Sequence, residues 1–403
     1  MKIGILREGK QPPDKRVPFS PEQCKQITEK FPVVEIFIQP SKIRCFSDEE
    51  YLMAGVPVQE DLSACDVLMG VKEVPLQNLI PEKTYFFFSH TIKKQSHNRK
   101  LLQEVVRKKI RLIDYEVLTG KNHMRIIGFG RFAGLVGAYN GLKTFGIRNH
   151  LFDLKPAHQC NDLQELKSIV TGMKLSAMKI VVTGGGRVAG GALELLREIP
   201  VRQVSVEEYL GHDSFGEPVF VQLNPEDYNL HKENKPFDLL NFFRHPTEHN
   251  GNFQRFCNQT DLLIGAAFWD PLAQVLFTSE DMKKPDFRIQ VIADITCDIE
   301  GSIPSTKKAS TIANPVYDYN PETGELEPAY SSKRNVTVMS VDNLPCELPK
   351  DASLDFGNNL IEKVLHHLLG EDEEGVIKRA TITEAGKLTD QFMYLTDYLS
   401  EKE

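Results

Sequence analysis

The sequence predicts an α/β protein with two Rossmann-like domains, whose parallel sheets flank a central cleft. Short β-branched runs alternate with amphipathic stretches in the first third of the chain, and the same alternation returns from MKIVVTGGGRVAGGALELLREIP onwards. Strands separated by helices run parallel, because each helix carries the chain back over the sheet. A length of 403 residues suits two such domains better than one hydrophobic core.

The first alternation supplies a series of strand-like runs. In chain order these runs are KIGIL, VVEIFIQP, DVLMGV, TYFFF and IRLID, and helical stretches such as PEQCKQITEKF separate them. Ligands of open parallel sheets bind outside the carboxyl ends of the strands. The residues that directly follow each run are therefore candidates for a functional site.

Titratable side chains follow three successive runs of this first domain. Lys72 follows DVLMGV, His90 follows TYFFF and Glu116 follows IRLID. Burial or neighbouring cations lower the pKa of a lysine, and histidine titrates near neutrality without help, so the pair supplies a base and an acid. A solvated charge at a strand end explains each residue alone, but their succession indicates a catalytic constellation.

Two arginines are candidates for binding a carboxylate. Arg16 lies in the proline-flanked loop QPPDKRVPFSP, and Arg125 precedes a glycine-rich stretch. The guanidinium group binds carboxylates through two parallel hydrogen bonds. Solvation at the surface is the alternative for either residue.

The glycine-rich stretch GFGRFAGLVGAYNGLKTFG predicts a helix with a thin face. Gly130, Gly134, Gly137 and Gly141 recur at helical spacing. Glycine lowers helix stability, so its repeated use indicates that another backbone element approaches this face closely. We expect the chain to pass from one domain to the next near this helix.

The second alternation opens with VVTGGGRVAGGA, an apolar strand, a glycine turn and a helix. This context predicts a dinucleotide site, in which Gly184 and Gly186 allow the turn and the approach of a pyrophosphate, and Ala189 takes the third small position. A tight turn without a ligand is the structural alternative.

The residue that binds the ribose is expected at the end of the following strand, in VRQVSVEE. This strand ends on Ser205 or runs to Glu207 or Glu208. An acidic residue there favours NAD, whereas a small or basic environment admits the 2′-phosphate of NADP. The sequence leaves the choice between NAD and NADP open.

Two further regions carry weaker patterns. The polar segment from about Gly211 to Asn258 is rich in His, Asn and Pro and is interpreted as loop and short helix over the cleft mouth. In the tail, NNLIEKVLHHLL and EAGKLTDQFMYLTDYLS are interpreted as two amphipathic helices.

Composition narrows the functional classes. A net charge of -8 disfavours nucleic acid as a partner, and no apolar run has the length of a membrane span or signal peptide. Seven widely spaced cysteines without a CxxC motif argue against a disulfide framework or zinc site. We expect a cytoplasmic enzyme that acts on small molecules and uses no metal.

Taken in order, GVKEVP, FFSHTIKKQ, RLIDYE, RIIGFGRFAGLVGA, TGGGRVAGGA, VIADIT and SVDNLPCELP resemble lysine-forming saccharopine dehydrogenase. The resemblance is stronger to the lysine/2-oxoglutarate reductase half of aminoadipic semialdehyde synthase, within the wider alanine dehydrogenase and transhydrogenase group. It runs from about Lys2 to the C-terminal helices. It implies an enzyme that reversibly condenses L-lysine with 2-oxoglutarate and reduces the imine with NAD(P)H to saccharopine.

The resemblance also implies roles for individual residues. Lys72 accepts the proton of the substrate amine, His90 assists the attack of water on the imine, and Glu116 tunes this pair. The implied substrate contacts are Arg16, Gln95, Arg125 and Phe129. The implied cofactor contacts are Gly186, Arg187, Ala293, Asp294, Ile295 and Thr296, in addition to Gly184 and to Ser205 or Glu208 from the reasoning above.

The implied domains are a substrate domain of residues 1–132, completed by 340–403, and a dinucleotide-binding domain of 133–339. The sequence shows no second domain that cleaves saccharopine, so we expect another protein to perform that step. Two alternatives stay open: an alanine-type amino-acid dehydrogenase, and a non-catalytic NAD(P)-binding regulatory protein. The direction of flux and the oligomeric state also stay open.

Overall fold

A computed structural model describes residues 1–401 of the chain. The chain forms two compact units, one of Met1–Phe129 with Pro349–Glu403 and one of Gly130–Leu348. Each unit contains a twisted sheet with helices between its strands. The predicted α/β class with two Rossmann-like units is confirmed.

The N-terminal segment alternates strands and helices. Its elements are β1 (Lys2–Ile5), α1 (Pro21–Lys30), β2 (Glu35–Ile38), α2 (Asp48–Met53), β3 (Val67–Met69), β4 (Thr84–Phe87), α3 (Ser96–Arg107) and β5 (Arg111–Asp114). All neighbouring strands of this segment pair in parallel, in the order β2-β1-β3-β4-β5. These strands are almost wholly apolar because both faces of the sheet are covered.

Serine side chains define where two of these helices begin. Ser20 and Ser47 each accept a hydrogen bond from the third residue of the following helix, and Gln23 and Glu50 complete a capping box by accepting from the cap backbone. Each box satisfies two N–H groups that the helix itself leaves unpaired. The loops after β1 and β2 are therefore anchored where they enter the next helix.

The middle segment begins with a long helix and builds the second sheet. Its elements are α4 (Gly130–Arg148), α5 (Leu163–Thr171), β6 (Lys179–Thr183), α6 (Arg187–Arg197), β7 (Arg202–Gln203), α7 (Val206–Gly211), β8 (Val219–Leu223), α8 (Pro225–Tyr228), β9 (Asn229–His231), α9 (Leu239–Arg244), β10 (His249–Gly251), α10 (Gln254–Cys257), β11 (Leu262–Gly265), α11 (Ser279–Met282), β12 (Val291–Asp294), β13 (Val316–Tyr319), β14 (Leu326–Glu327) and β15 (Val336–Met339).

The second sheet is parallel in its centre and antiparallel at one side. Its order is β14-β13-β15-β12-β11-β6-β8-β7. The strands from β15 to β7 pair in parallel, whereas β13 runs antiparallel to β15 and β14 antiparallel to β13. The predicted parallel sheet thus carries an antiparallel edge, where short connections replace the helical crossover that a parallel pair requires.

The polar segment 211–258 differs from its interpretation as loop and short helix. It contains β8, which is buried in the sheet between β6 and β7, and a separate antiparallel hairpin of β9 and β10. Polar residues flank the apolar run PVFVQL on both sides, so the sequence pattern did not distinguish this strand from a loop. This difference changes which strand lies beside the glycine turn.

The thin face of α4 packs against α6. A Cβ placed on Gly134 would lie 1.8 Å from the carbonyl oxygen of Val188, and one on Gly191 would lie 2.0 Å from that of Arg131. Such distances leave no room for any side chain. The predicted close approach of another backbone element to this glycine-rich helix is confirmed.

The same face of α4 continues toward β12. The side chain of Ile295 lies where a Cβ on Gly137 would project, and that of Ala293 lies in the same way against Gly141. The helix therefore runs close to the carboxyl end of β12 as well as to α6. Residues 293–295 are fixed by this packing.

The C-terminal tail adds to the first sheet. Its elements are α12 (Pro349–Lys363), α13 (Leu365–Leu369), α14 (Val376–Ala380), β16 (Thr381–Glu384), β17 (Lys387–Leu388) and α15 (Thr396–Ser400). β16 runs antiparallel to β5, which gives the sheet order β17-β16-β5-β4-β3-β1-β2. Within residues 1–401, no helix has the length and apolar character needed to cross a membrane.

The second predicted tail helix is wrong over its first half. Residues Thr381–Leu388 form a hairpin, whose turn residues Ala385 and Gly386 have φ of 50° and 80°. This left-handed turn suits a tight antiparallel connection and interrupts any helix. Only Thr396–Ser400 is α-helical in the remainder of the tail that the structure describes.

Candidate functional site

The ends of β3, β4 and β5 bring three predicted residues to one edge of the first sheet. β3 pairs with β4 through Met69 and Phe86, and β4 pairs with β5 through Phe87 and Asp114. The strand order that the sequence left open is therefore β3-β4-β5. Lys72, His90 and Glu116 follow these adjacent strands within a few residues of each carboxyl end.

Glu73 joins the two strand ends that carry the predicted base and acid. Its Oε1 lies 2.5 Å from His90 Nδ1, and its Oε2 lies 3.2 Å from Lys10 Nζ. Burial opposes ionisation of this carboxyl group, but the hydrogen bond and charge of His90, with Lys10, lower the pKa of Glu73 to about 2. Glu73 is therefore a carboxylate at neutral pH.

This carboxylate fixes the protonation pattern of the imidazole. An ionised carboxylate only accepts hydrogen bonds, so His90 Nδ1 donates to Glu73. Nε2 of a neutral His90 then carries the lone pair and is the atom able to take a proton. The His90 ring also stacks on Phe88, with 6.4 Å between ring centroids.

Lys72 lies in a cationic and partly desolvated environment. Burial lowers the pKa of Lys72, and the positive charges of Arg16 and Lys10 lower it further, while Asp14 and Glu73 oppose this effect. The neutral amine is therefore more populated near neutral pH than in an exposed lysine. Lys72 meets the electrostatic requirement for a general base.

Glu8 is a member of this edge that the sequence analysis missed. Its carboxyl oxygens accept the backbone N–H groups of Val71, at 2.6 Å, and of Lys72, at 2.9 Å. Burial, and secondly the charge of Asp14, raise the pKa of Glu8 to about 8 against the opposing effect of these two hydrogen bonds. Glu8 follows β1 at the same distance as Lys72 follows β3, and this repeated spacing was the available signal.

Arg16 is held by a carboxylate of its own loop. Its Nε and Nη2 donate to the two oxygens of Asp14 at 3.0 and 2.6 Å. The guanidinium lies 4.1 Å above the Phe129 ring, which stacks on Phe356 from the tail at 4.4 Å. The two-point edge that the sequence analysis assigned to a substrate carboxylate is thus engaged by Asp14, which was not predicted.

Arg125 and Glu116 lie beside the aromatic cluster around Phe88. The Arg125 guanidinium is 5.3 Å from the Phe88 ring, and its Nε donates to the carbonyl of Ile127 at 3.0 Å. Glu116 Oε1 lies 3.2 Å from Lys93 Nζ.

Two buried oxygens of the same region lack a hydrogen-bond partner. Glu116 Oε2 and the Tyr115 hydroxyl each have none among the described residues. Buried polar atoms are nearly always paired in folded proteins, so these two oxygens retain unused hydrogen-bonding capacity. Tyr115 was not predicted.

Gln95 differs from the other predicted substrate contacts. It is exposed and precedes α3, where its side-chain oxygen accepts from Asn98 Nδ2 at 3.4 Å. Its backbone carbonyl accepts the Tyr398 hydroxyl from α15 at 2.5 Å. The tail helix therefore fixes the loop that carries Gln95.

The glycine turn of the second unit has the geometry of an anion cradle. Gly184 has a φ of 99°, and a Cβ on it would lie 2.9 Å from Ala267 Cα. Gly186 immediately precedes α6, and a Cβ on it would have no heavy atom within 4 Å. A helix leaves the N–H groups of its first turn without partners inside the helix, and the open space beside Gly186 at the start of α6 fits a pyrophosphate. Exposed Arg187 begins α6, and Ala189 is buried beneath it.

The structure separates Ser205 and Glu208 from the glycine turn by one strand. β7 ends at Gln203, and the Ser205 hydroxyl accepts the Glu208 N–H at 3.1 Å as the cap of α7. Glu208 also forms an ion pair with Arg202 at 2.7 Å. β8, not β7, lies beside β6.

Asn224 takes the position that the sequence analysis had placed on β7. It follows β8 directly, and a Cβ on Gly185 would lie 2.9 Å from Asn224 Oδ1. Gln222 Nε2 also donates to the carbonyl of Gly184 at 3.0 Å. The residue beside the glycine turn is therefore a neutral amide, not a carboxylate.

Residues 293–296 are ordered by hydrogen bonds as well as by α4. Asp294 Oδ1 accepts the Thr296 hydroxyl at 2.7 Å, and its Oδ2 accepts the Thr306 hydroxyl at 2.6 Å. Burial raises the pKa of Asp294. Because Ala293 and Ile295 face α4, Thr296 is the member of this group that lines the open space beyond the strand ends.

The described residues contain no group of three or more His, Cys, Asp and Glu arranged to hold a metal ion. The titratable edge of the first unit is instead a network of Lys, Glu, His and Arg. Side chains of this kind are able to transfer protons, and a glycine turn before a helix, as in the second unit, is able to bind an anion.

Comparison with known proteins gives a consistent result. Residues 4–136 match the family described as "Alanine dehydrogenase/PNT, N-terminal domain". The whole chain is 29% identical to alpha-aminoadipic semialdehyde synthase, mitochondrial, of Mus musculus, and covers 48% of that protein. The corresponding protein of Arabidopsis thaliana is 27% identical over 98% of the chain and 41% of its own length.

A shorter relative is covered almost completely. Saccharopine dehydrogenase [NAD(+), L-lysine-forming] of Emericella nidulans is 24% identical, over 89% of the chain and 90% of that protein. In contrast, the chain spans about half the length of the semialdehyde synthases that it matches. The shared region is therefore one portion of a longer protein in those relatives.

Two solved structures share the fold. An L-alanine dehydrogenase superposes with a TM-score of 0.65 at 17% identity, over 99% of the chain and 100% of its own. A transhydrogenase from Sinorhizobium meliloti gives 0.57 at 16% identity, over 96% and 99%. The N-terminal third of the chain thus matches the alanine dehydrogenase/PNT family model, and the whole chain shares its fold with these two structures.

Proposed function

We propose that this protein is an NAD(P)-dependent oxidoreductase that reversibly condenses L-lysine with 2-oxoglutarate to form saccharopine. The observation that carries this proposal is the Lys72, Glu73 and His90 set, in which Lys72 has a lowered pKa and the next residue, Glu73, holds His90 Nδ1. Relatives named for aminoadipic semialdehyde synthesis and for lysine-forming saccharopine dehydrogenation support the choice of substrate.

In the oxidative direction, Lys72 removes the proton of the secondary amine. Its neutral form is favoured by burial and by the cations Arg16 and Lys10. Two backbone hydrogen bonds to Glu8 hold residues 71 and 72 in place, so the base is positioned before substrate binds. The lone pair of the amine nitrogen is then available for imine formation.

His90 handles the proton of water in the second half of the reaction. Its Nδ1–H is held by Glu73, so Nε2 takes a proton from water as water attacks the imine carbon. The Glu73 carboxylate stabilises the imidazolium that results. In the reverse direction, the same nitrogen returns this proton as lysine and 2-oxoglutarate condense.

Saccharopine carries three carboxylates, and the first unit provides cationic groups near the proposed base. Lys10, Arg16 and Arg125 are proposed to bind them, with Arg16 oriented by Asp14 rather than free to rotate. Gln95 and Phe129 complete the proposed contacts. The unpaired Tyr115 hydroxyl and Glu116 Oε2 are proposed to bind the amino end of the lysine portion.

The cofactor is proposed to be NAD or NADP, held by Gly184, Gly186 and Arg187 at the start of α6. When bound, the nicotinamide accepts or donates a hydride. The main-chain atoms of residues 293–296 are proposed as further contacts, since the side chains of Ala293 and Ile295 face α4. Asn224 is neutral, and no carboxylate at this position opposes the 2′-phosphate of NADP.

One assay tests this proposal. The protein is mixed with L-lysine, 2-oxoglutarate and either NADPH or NADH, and the loss of reduced nicotinamide absorbance is followed while mass spectrometry identifies the product. Pyruvate with ammonia is run in parallel. We expect oxidation of the reduced nicotinamide and a saccharopine product only with lysine and 2-oxoglutarate. Oxidation only with pyruvate and ammonia would make the protein an alanine-type dehydrogenase. Binding of the cofactor without turnover of either substrate pair would make it a regulatory protein.

A further inference from the structure

A cavity lies beyond the carboxyl ends of β1 and β2 in the first unit, and we call it the β1–β2 cavity. Its volume is about 440 Å³, which is within the range of small-molecule sites. Arg7 and Glu8 after β1 line one side, and residues 40–43 after β2 line the other, together with Asp48 of α2. The described residues that line this cavity all precede β3, so it is distinct from the strand ends that carry the proposed catalytic residues.

The wall after β2 is built around the side chain of Arg44. This side chain donates to the carbonyl groups of Gln39 at 2.5 Å and of Phe46 at 2.9 Å. It also forms an ion pair with Asp48, which accepts the backbone N–H of Ser41 at 3.1 Å. These bonds hold the loop without a ligand, so a ligand that binds here does not have to order the wall.

Lys42 gives this wall its unpaired charge. Its side chain is exposed, and it forms no ion pair or hydrogen bond with any other residue in the part of the chain that the structure describes. In contrast, Asp48 is neutralised by Arg44, and Arg7 is neutralised by Glu60. The free ammonium group favours an anion in the cavity.

Glu8 provides a hydrogen-bond donor on the side of β1. Its carboxyl group accepts the N–H groups of Val71 and Lys72, and these are its hydrogen bonds among residues 1–401. Because burial raises its pKa to about 8, this carboxyl group is protonated at neutral pH. Its proton is therefore available to an acceptor in the cavity, and a carboxylate accepts such a proton in a short, charge-assisted hydrogen bond.

We propose that the β1–β2 cavity is a second ligand site, which binds a short aliphatic carboxylate through the ammonium group of Lys42 and the carboxyl proton of Glu8. Pro40 and Ile43 provide apolar surface for the aliphatic stem, and Ile43 is 38% exposed although it is apolar. This ligand is additional to the substrates of the proposed function. The site adjoins the proposed base through one residue, because Glu8 also holds the backbone of Lys72.

Binding at this site depends on the pH through Glu8. The charged groups around Glu8 are Arg7, Asp14 and Arg16 of its own loop, Lys42 and Asp48 across the cavity, and Lys72 after β3. Below its pKa of about 8, Glu8 donates to the ligand, and above it the Glu8 carboxylate repels the ligand. The neutral fraction of Glu8 falls from about nine tenths at pH 7 to about one tenth at pH 9, so we expect the affinity to fall about tenfold.

Glutarate is the probe, because it is a short aliphatic dicarboxylate without the keto group that condensation with an amine requires. It is titrated by calorimetry into the full chain without substrate or cofactor, so the result does not depend on turnover. We expect Lys42→Met to weaken binding about fivefold at pH 7, as the loss of one partly exposed ion pair implies. Lys42→Arg keeps the charge and is expected to bind as the parent does. Lys25→Met, at an exposed position of α1, is the matched control and is expected to leave the affinity unchanged.

Glu8→Gln tests the pH dependence, because an amide donates a hydrogen bond but does not titrate. We expect this variant to bind glutarate equally at pH 7 and pH 9, whereas the parent loses affinity. Equal affinity of Lys42→Met and the parent, or a parent affinity that does not change with pH, would overturn the second site.

The substrate contact Arg125 distinguishes this site from the one in the proposed function. Weaker glutarate binding by Arg125→Met but not by Lys42→Met would place the probe at the substrate contacts, which would overturn the second site and leave the proposed function standing. Absence of glutarate binding would have the same consequence. Binding that depends on Lys42, in a protein that does not turn over lysine and 2-oxoglutarate, would support the second site and overturn the proposed function alone.

Discussion

The carboxyl edges of the two sheets use the same architecture in opposite ways. The edge of the first sheet concentrates charge: Glu73 contacts both Lys10 and His90, and the charges of Lys10 and Glu73 act on Lys72. The edge of the second sheet lacks side chains at its glycine turn, and aromatic rings line the adjoining space. Proton transfer requires titratable groups, and neighbouring charges can shift the pKa of such groups. Binding of a nucleotide requires close backbone approach and flat apolar surfaces. The contrast predicts that substitutions at the two edges fail in different assays.

The largest effect is expected for Lys72→Met at the charged edge. Loss of a general base lowers turnover by about 10³-fold, while calorimetric affinity for NADH or NADPH stays within about twofold of the parent. Lys25→Met, at an exposed position of α1, is the control and is expected to keep full activity. Full turnover in Lys72→Met would remove this residue from the mechanism.

Glu73→Gln tests whether the carboxylate fixes the proton on His90 Nδ1. A glutamine amide donates as well as accepts, so the imidazole loses its fixed tautomer and the stabilising charge. We expect kcat to fall by about a hundredfold with little change in cofactor affinity. Glu60→Gln breaks an exposed ion pair with Arg7 and serves as the control. Equal rates for the two variants would contradict the role given to Glu73.

Glu8 predicts a pH dependence of stability that belongs to the charged edge alone. Its pKa is raised from 4.5 to about 8, so the unfolded chain ionises first as the pH rises, while the native protein retains the proton. The resulting contribution to the free energy of unfolding is fully present below pH 4.5 and is lost as the pH approaches 8. For a side chain that remains partly exposed, we expect a loss of about 2 kcal/mol.

The measurement compares Glu8→Gln with the parent by denaturant unfolding across this pH range. The difference between their free energies of unfolding should change in that window, with the parent falling more steeply. Glu49→Gln, an exposed carboxylate of α2, should follow the parent curve. Parallel curves for Glu8→Gln and the parent would show that Glu8 ionises alike in both states.

Much of this arrangement follows from local sequence patterns. The alternation of strands and helices, the strand-end positions of Lys72 and His90, and the glycine turn are each encoded within a few residues. The thin face of α4 was also predictable, because only close backbone contact explains four glycines at helical spacing. These features depend on periodicity and on residue type, which a single sequence contains.

The features that were missed depend on contacts between distant segments. Glu8 meets residues 71 and 72 only because β1 pairs with β3, and the spacing of Glu8 after β1 does not by itself identify the strand that β1 pairs with. The strand β8 was read as loop because polar residues surround it, so the position beside the glycine turn was assigned to β7 rather than to Asn224. Strand order in space is not fixed by order in sequence, and this accounts for both errors.

The packing of α4 on α6 gives a sharper structural test in the second unit. Gly191→Ala would place a Cβ 2.0 Å from the Arg131 carbonyl oxygen and is expected to lower the free energy of unfolding by about 2 kcal/mol. Gly190→Ala on the same helix meets no atom within 4 Å and is expected to stabilise the protein by up to about 1 kcal/mol. Thermal or denaturant unfolding of the two variants should therefore move in opposite directions, and similar shifts would contradict the close approach of the two helices.

Asn224→Asp tests which strand beside the glycine turn selects the cofactor. A carboxylate at the end of β8 accepts the ribose hydroxyls of NADH and repels the 2′-phosphate of NADPH. We expect the ratio of NADH to NADPH affinity to rise by about tenfold, close to 1.4 kcal/mol. Aspartate also caps helices well, so the start of α8 is preserved. The matched variant Ser205→Asp places the same charge after β7, one strand farther away, and is expected to leave the ratio unchanged. A change in this affinity ratio for Ser205→Asp alone would indicate that the ribose binds at the end of β7, as first predicted from the sequence.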